Sequence, residues 1–132
     1  MECTFCQIYN QKLPAKIIYQ DNTLSCFLPR KMEVYGHLLV IPNKHFENIF
    51  DIPEEELAHI IKFTKKISSH LKECLGATGI NILHASGKSA QQSVPHFHIH
   101  IFPRFDNDSL DTWPKLEKKE YDKDEILAKI KF

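Results

Sequence analysis

Three histidines occupy every second position of one apolar segment near the end of the chain, namely His96, His98 and His100. The alternation predicts a strand from Val94 to Phe102, in which successive side chains point to opposite faces of a sheet. The three imidazoles then share one face, and the apolar residues between them share the other. Imidazole binds metals, moves protons near neutral pH and attacks phosphorus. We therefore expect this segment to carry the chemistry.

A small, polar loop lies directly before the histidines, over residues 86–93. Its backbone N–H groups, amides and hydroxyls can hold phosphate oxygens and stabilise charge that develops in a transition state. Beside such a loop, His98 is a candidate nucleophile or proton shuttle. His37, inside another predicted strand, can join this cluster. His84, just before the loop, is expected either to line the pocket or to have a packing role.

A second group of candidate residues begins with Cys3-x-x-Cys6. Two thiols at this spacing can both bind one zinc ion, but they provide only half of a tetrahedral site. The expected completing ligands are imidazoles, and eight histidines are available. The candidates are His45, which follows a strand end at Pro42, and His96, which begins the histidine segment. A closed Cys₂His₂ site would be structural and would fasten the N-terminal residues to the sheet. Spacing alone leaves open the alternative that both cysteines are unligated.

The hydrophobic pattern predicts an α+β domain with an antiparallel sheet of about five strands. A long helix should separate the third strand from the fourth, with Asp51, Pro53 and the following glutamates at its start and Gly76 at its end. A short helix should close the chain, where Asp122 and Glu125 resemble a capping box. The predicted strands are Ile17–Tyr19, Leu24–Leu28, Gly36–Ile41, Ile80–Leu83 and Val94–Phe102.

The length of 132 residues is enough for one domain, with its body over residues 1–105 and a charged tail over residues 106–132. The net charge of zero argues against a protein that wraps long nucleic acid. No apolar run is long enough to span a bilayer, so we expect no membrane partner. The N-terminal residues lack the pattern of a signal peptide, so we expect a cytoplasmic protein with reduced thiols. Cys26 and Cys74 lie in apolar patterns and are expected in the core.

Taken together, these residues resemble the histidine triad (HIT) family, in its bacterial Hint-like branch with a zinc-binding CxxC. The resemblance covers most of the chain, and its motifs follow the family's order. They are Cys3-x-x-Cys6, Gly36–His45, Gly87–Val94 and the run from His96 to Phe102 followed by Pro103-Arg104.

The resemblance implies a HIT-like fold and a homodimer whose two sheets join across the two-fold axis. It implies a purine nucleotide substrate that is cleaved at its α-phosphate, with His98 as the nucleophile of a nucleotidyl-imidazole intermediate. His37 would support the cluster. The implied phosphate contacts are His100, Ser93, Gln92 and Gln91. The implied apolar slot for the base is Phe5, Ile8, Phe27 and Leu28. The implied structural zinc ligands are Cys3, Cys6, His45 and His96.

Three positions depart from the family pattern. Pro29 stands where members carry an aspartate for the ribose hydroxyls, Ala85 where they carry Asn or Gln, and Gln91 where they carry Gly. Two alternatives to the hydrolase or transferase therefore stay open. One is a nucleotide-binding module with little turnover. The other is a zinc-dependent hydrolase in which His96 and His98 both bind a catalytic metal.

Overall fold

A computed structural model describes residues 3–132, so the first two residues of the predicted domain body lie outside the described part. Its centre is one antiparallel sheet of five strands in the order β1-β2-β3-β5-β4. Three α-helices accompany the sheet, and the α+β prediction is confirmed. The strands are β1 Lys16–Gln20, β2 Leu24–Leu28, β3 Leu38–Pro42, β4 Gly79–Leu83 and β5 Ile99–Arg104. The helices are α1 Thr4–Tyr9, α2 Glu54–Leu75 and α3 Lys123–Ile130.

The larger hydrophobic core lies between α2 and one face of the sheet. Three glutamates in the first turn of α2 suit the positive end of the helix dipole, and Gly76 ends it in a left-handed conformation with φ of 75°. The buried residues of α2 recur at helical spacing because one stripe of the helix meets the sheet. They are Ile60, Phe63, Thr64, Ile67 and Leu71.

The opposite face of the sheet carries a smaller core and the histidines. Phe27 of β2 pairs with Leu39 of β3, and Leu39 pairs with His100 of β5. Directly paired residues project to the same face, so an apolar row leads across the sheet to an imidazole. Phe5 of α1 packs into this second cluster and is buried. The helix α1 thereby covers the histidine side of the sheet.

The last strand is shorter than the sequence indicates, since β5 begins at Ile99 rather than at Val94. The segment before it leaves the ladder because the backbone N–H of His96 donates to Val94 and that of Phe97 donates to Phe46. His96 and His98 are buried, and both lie in the irregular segment before β5 rather than in the strand itself.

Three local predictions need correction. The residues of α1 form a helix that the sequence pattern does not predict. Asp51 does not cap α2, because its carboxylate accepts from the backbone N–H groups of Glu47 and Asn48, and Pro53 is the N-cap residue. Cys26 is buried as predicted, but Cys74 is exposed. The buried stripe of α2 continues from Leu71 towards Leu75, which leaves Cys74 to one side of it.

The tail begins with a well-bonded turn and continues without buried side chains. The Arg104 guanidinium donates to both carboxylate oxygens of Asp108 and to Asn81, Thr112 and the Leu110 carbonyl. Asp122 caps α3 by accepting from the N–H groups of Asp124 and Glu125. Every residue from Trp113 onwards is exposed. Across residues 3–132, no helix combines the length and the apolar character that a membrane crossing requires.

Candidate functional site

Four side chains from separate parts of the fold converge at the start of α1. Cys3 and Cys6 lie at the N-cap and in the first turn of this helix, His45 follows β3, and His96 precedes β5. Their potential ligand atoms all lie within 4.8 Å of one another. The spacing of the two cysteines brings both thiols to one side because they are separated by nearly one helical turn.

The distances fit a tetrahedral zinc site. The His96 Nδ1 atom lies 3.4 Å from Cys3 Sγ and 3.6 Å from Cys6 Sγ, and His45 Nδ1 lies 3.4 Å from Cys6 Sγ. Zinc bonds of about 2.3 Å to sulfur and about 2.0–2.1 Å to nitrogen imply tetrahedral S···N edges of roughly 3.5 Å. Two thiolates and two imidazoles are also the donor set of a closed structural zinc site. The residues therefore fit the metal that the cysteine spacing predicts.

The orientation of His96 supports the same interpretation. Its Nε2 atom lies 2.9 Å from the carbonyl oxygen of Pro42, so Nε2–H donates to this oxygen and Nδ1 faces the thiols without a proton. Burial lowers the pKa of His96 to about 4, although the hydrogen bond to Pro42 opposes this effect. A neutral ring with a fixed tautomer is the form of histidine that binds a metal.

His98 is held differently from His96. Its Nδ1 atom lies 2.8 Å from the carbonyl oxygen of His96, and donation to this oxygen leaves the lone pair on Nε2. Burial lowers the pKa of His98 below its usual range, so the ring is neutral near pH 7. The Phe5 ring meets it edge-on with the ring centroids 5.2 Å apart. His98 is not among the four clustered metal-ligand candidates.

A chain of hydrogen bonds fixes the tautomers of His37 and His100. The backbone N–H of Glu33 donates to His37 Nδ1 at 3.1 Å, which places the His37 proton on Nε2. The His37 Nε2 atom lies 2.9 Å from His100 Nδ1, so His37 donates and His100 carries its own proton on Nε2. Burial, with His98 and His37 nearby, lowers the pKa of His100 to about 4. His100 therefore offers one N–H donor from a neutral ring.

A cleft of about 670 Å³ opens beside these rings. His37, His98, His100 and Ser93 line it, and no hydrogen bond of the Ser93 hydroxyl occurs within residues 3–132. Apart from Lys16, Arg30, Lys31 and Glu33, most of the remaining lining is apolar. All four residues expected for the base slot line the cleft, namely Phe5, Ile8, Phe27 and Leu28. Leu39 and Val94 also contribute to this apolar lining.

Two expected phosphate contacts do not reach this cleft. The Gln92 amide nitrogen donates to the carbonyl oxygens of Glu47 and Val94, and its oxygen accepts from the Gly87 N–H. Gln92 thus braces the loop before the histidines. Gln91 is exposed and follows the short 3₁₀ turn Lys88–Ala90 with a left-handed φ of 67°. Neither glutamine lines the cleft.

His84 contacts the nucleophile candidate from the other side of the sheet. Its Nδ1 atom lies 2.8 Å from the His98 carbonyl oxygen, its Nε2 atom contacts Ser86 Oγ, and its ring packs on Phe97. His84 does not line the cleft. The sequence showed only that a histidine ends β4, and a hydrogen bond across to the segment before β5 could not be found from spacing.

The fold is an antiparallel α+β domain with a Cys₂His₂ cluster. Beside this cluster, neutral imidazoles line a cleft, and this arrangement defines a histidine-based site for a small ligand. The model of the HIT domain family matches residues 10–107, and the chain belongs to the histidine triad family.

Known relatives extend this assignment along the whole chain. An uncharacterized HIT-like protein of Methanocaldococcus jannaschii is 41% identical over 129 residues, covering 98% of both chains. The adenosine 5′-monophosphoramidase of Saccharomyces cerevisiae is 31% identical and covers 97% of this chain and 82% of its own. A zinc-bound histidine triad protein from Mycobacterium smegmatis is similar in structure, with a TM-score of 0.81 and 35% identity. That similarity covers 89% of this chain and 85% of the other.

Proposed function

We propose that this protein is a nucleotide hydrolase or transferase that cleaves at the α-phosphate of a purine nucleotide. The observation that carries the proposal is the state of His98, a neutral ring whose Nδ1–H is held by a carbonyl oxygen while Nε2 remains available beside a cleft. A yeast relative is named for adenosine 5′-monophosphoramidase activity, which favours a phosphoramidate substrate. Esters and dinucleoside polyphosphates fit the same chemistry.

The first step is attack by the Nε2 lone pair of His98 on the α-phosphorus. The bond from phosphorus to the leaving group breaks, and the leaving group departs with the bonding electrons and takes up a proton from solvent water. The product on the enzyme is a nucleotidyl-imidazole. The covalent intermediate divides one difficult displacement into two easier ones. In the second step water attacks phosphorus, the P–N bond breaks, and a nucleoside monophosphate leaves.

The neighbouring groups suit the charge that develops on the phosphate oxygens. The Nε2–H of His100 and the Ser93 hydroxyl are donors at the cleft wall. The bond from His37 holds the His100 ring in the tautomer that donates. Donors that are already in position stabilise the charge of the transition state without having to reorganise during the reaction. We assign the base to the apolar slot around Phe5 and Phe27.

We assign zinc a structural role on Cys3, Cys6, His45 and His96. When bound there, zinc supplies four bonds that hold the segment before β5 and the segment after β3 against α1. The four donors complete a tetrahedral set without His98, which favours this role over a catalytic metal. The chemical step then depends on the imidazoles and the Ser93 hydroxyl rather than on the zinc.

The assembly and location follow the same family pattern. We propose a homodimer formed through the outer edge of β4, where Ile82 is 53% exposed. The tail over residues 106–132 is part of the same domain. We assign the protein to the reducing cytoplasm, where Cys3 and Cys6 stay available as thiolate ligands for zinc.

The proposed function is tested by nucleotide release from adenosine 5′-phosphoramidate, comparing the zinc-loaded protein with its His98→Ala variant. Loss of the nucleophile should lower kcat by about 10³-fold or more while nucleotide affinity changes little. His70→Ala is the matched control, because His70 is exposed on α2. Equal turnover by the wild-type protein and His98→Ala would contradict the mechanism.

A nucleotide-binding module with little turnover is the second candidate. Gln92 favours it, because its amide is bonded to Glu47, Val94 and Gly87 and offers the cleft no donor for a phosphate. Tight AMP binding without nucleotide release from any of the substrate classes would support this candidate.

A further inference from the structure

One wall of the cleft is basic. Lys16 begins β1, and Arg30 and Lys31 lie in the connection from β2 to β3 directly after Pro29. All three line the cleft and are exposed to solvent. The histidines lie in the same cleft, so a bound nucleotide lies within reach of these cations.

The three cations have no ionic partner in residues 3–132. Glu33 also lines the cleft, so the wall carries three positive charges and one negative charge. Arg104 provides the contrast, because its guanidinium is fully engaged by Asp108 and by oxygens of the tail. The charge on the cleft wall is therefore not neutralised by the chain itself.

The position of the basic wall relates it to a particular part of a nucleotide. Phe27, Leu39 and His100 form one cross-strand row, so the apolar slot and His100 lie two strand spacings apart, about 10 Å. The loop that carries Arg30 leaves β2 beside Phe27 and returns to His37, which contacts His100. The basic wall thus borders the space between the base slot and the attacked phosphate. An unmodified ribose in this space would carry no negative charge, so it would leave these cations without an ionic partner.

We propose that Lys16, Arg30 and Lys31 form an anion subsite that binds a second phosphate group carried by the nucleotide. The inference rests on the proposed function, since it places the first phosphate at His98. A guanidinium binds phosphate through two parallel hydrogen bonds, and lysine adds charge without fixed geometry. The preferred substrates are then nucleotides with a further phosphate, on the ribose or along the phosphate chain.

Titration calorimetry with the zinc-loaded full chain tests this subsite. AMP is compared with adenosine 3′,5′-bisphosphate, adenosine 2′,5′-bisphosphate and ADP. At least one doubly phosphorylated ligand should bind about tenfold more tightly than AMP at low salt, the size expected for two or three exposed ion pairs. The advantage should shrink as the ionic strength rises. The ligand that gains shows whether the second phosphate is carried by the ribose or by the phosphate chain.

Two charge-matched double variants assign the effect to the cleft. Arg30→Gln with Lys31→Gln should reduce the affinity ratio of the best doubly phosphorylated ligand to AMP towards one. Lys62→Gln with Lys66→Gln removes the same charge from the exposed side of α2 and should preserve the ratio. The subsite would be overturned if the wild-type protein bound all four ligands equally. It would also be overturned if the cleft variant left the affinity ratio unchanged. Neither result would contradict the proposed function. Failure of AMP itself to bind would remove the proposed function and the subsite together.

Discussion

His98 differs from His96 and His100 in what its two ring nitrogens contact. One nitrogen of His96 faces the thiols, and one nitrogen of His100 accepts from His37. His98 makes a single backbone bond through Nδ1, so its Nε2 atom is the one available for covalent chemistry. The three histidines therefore differ in role because their ring nitrogens have different hydrogen-bond partners.

The low pKa of His100 predicts how protein stability depends on pH. Burial lowers this pKa from 6.5 to about 4. As the pH falls below 6.5 the unfolded chain takes up a proton that the folded chain refuses until about pH 4, so the free energy of unfolding decreases. Urea denaturation at pH 7 and pH 5 should show a smaller decrease for His100→Asn than for the wild-type protein. Parallel decreases in both proteins would contradict this assignment.

The spacing of the cysteines and histidines identified these residues of the candidate site from the sequence, whereas the residues of the base slot were implied only by the family resemblance. The CxxC pair, the alternating histidines and the Gly-His segment each have a pattern that residue chemistry explains. The roles of Gln92 and His84 were not visible, because each depends on a contact between segments distant along the chain. These contacts depend on how the loops fold over the edge of the sheet. The spacing of neighbouring residues does not predict that arrangement.

At the scale of elements, the start of β3 depends on a glycine. Gly36 has φ of +78°, and a Cβ atom there would lie 2.9 Å from Pro103 Cγ and 3.0 Å from Leu75 Cδ1. Gly76 has a similar φ of +75° but no heavy atom within 4 Å of such a Cβ. Alanine at either position costs about 1–2 kcal/mol for the left-handed conformation. Gly36→Ala should therefore destabilise more than Gly76→Ala in chemical denaturation.

Activity separates the same two variants. Gly36 precedes His37, so displacement of this backbone should disturb the bond from His37 to His100 and lower kcat. Gly76 ends α2 and does not line the cleft, so Gly76→Ala should affect stability alone. Equal losses of stability and activity in both variants would show that the contact with Pro103 is unimportant.

Zinc removal should change the reactivity of particular cysteines. In the zinc-loaded protein we expect a thiol reagent to label the exposed Cys74 and to spare Cys26, because burial raises the pKa of the Cys26 thiol to about 12. A chelator should then make Cys3 and Cys6 reactive while Cys26 stays protected. Mass spectrometry of labelled peptides measures each site, with Cys74→Ser as the control. Labelling of Cys3 and Cys6 at one rate with and without chelator would exclude metal binding there.

The element predictions succeeded where the residues show a clear repeat or capping signal and failed at α1, which shows neither. The 22 residues of α2 contain enough apolar repeats to define a buried stripe. The six residues of α1 contain too few, and their N-cap Cys3 makes no side-chain capping bond. A helix this short is unstable alone and depends on packing of Phe5 and on ligands at its cysteines.

At the scale of the whole molecule, the outer strands β1 and β4 each have one edge without a paired strand among residues 3–132. A homodimer through β4 predicts a native mass of twice 15.4 kDa in light scattering. Ile82→Lys on β4 should weaken the dimer by about tenfold or more, because it would bury a charge. Ile17→Lys on β1 is the matched control, since Ile17 is similarly exposed at 43%. Dissociation by the Ile17 variant alone would place the interface at the opposite edge.

The division of labour among the histidines is tested most directly by trapping the covalent intermediate. The zinc-loaded protein is mixed with adenosine 5′-phosphoramidate, quenched rapidly and analysed by intact mass and peptide mapping. The mechanism predicts a mass gain of one adenylyl group on His98, absent in His98→Ala and retained when excess zinc is withheld. An adenylyl group on another residue would contradict this mechanism. Rapid turnover without an adduct, together with an absolute need for added zinc, would contradict it as well.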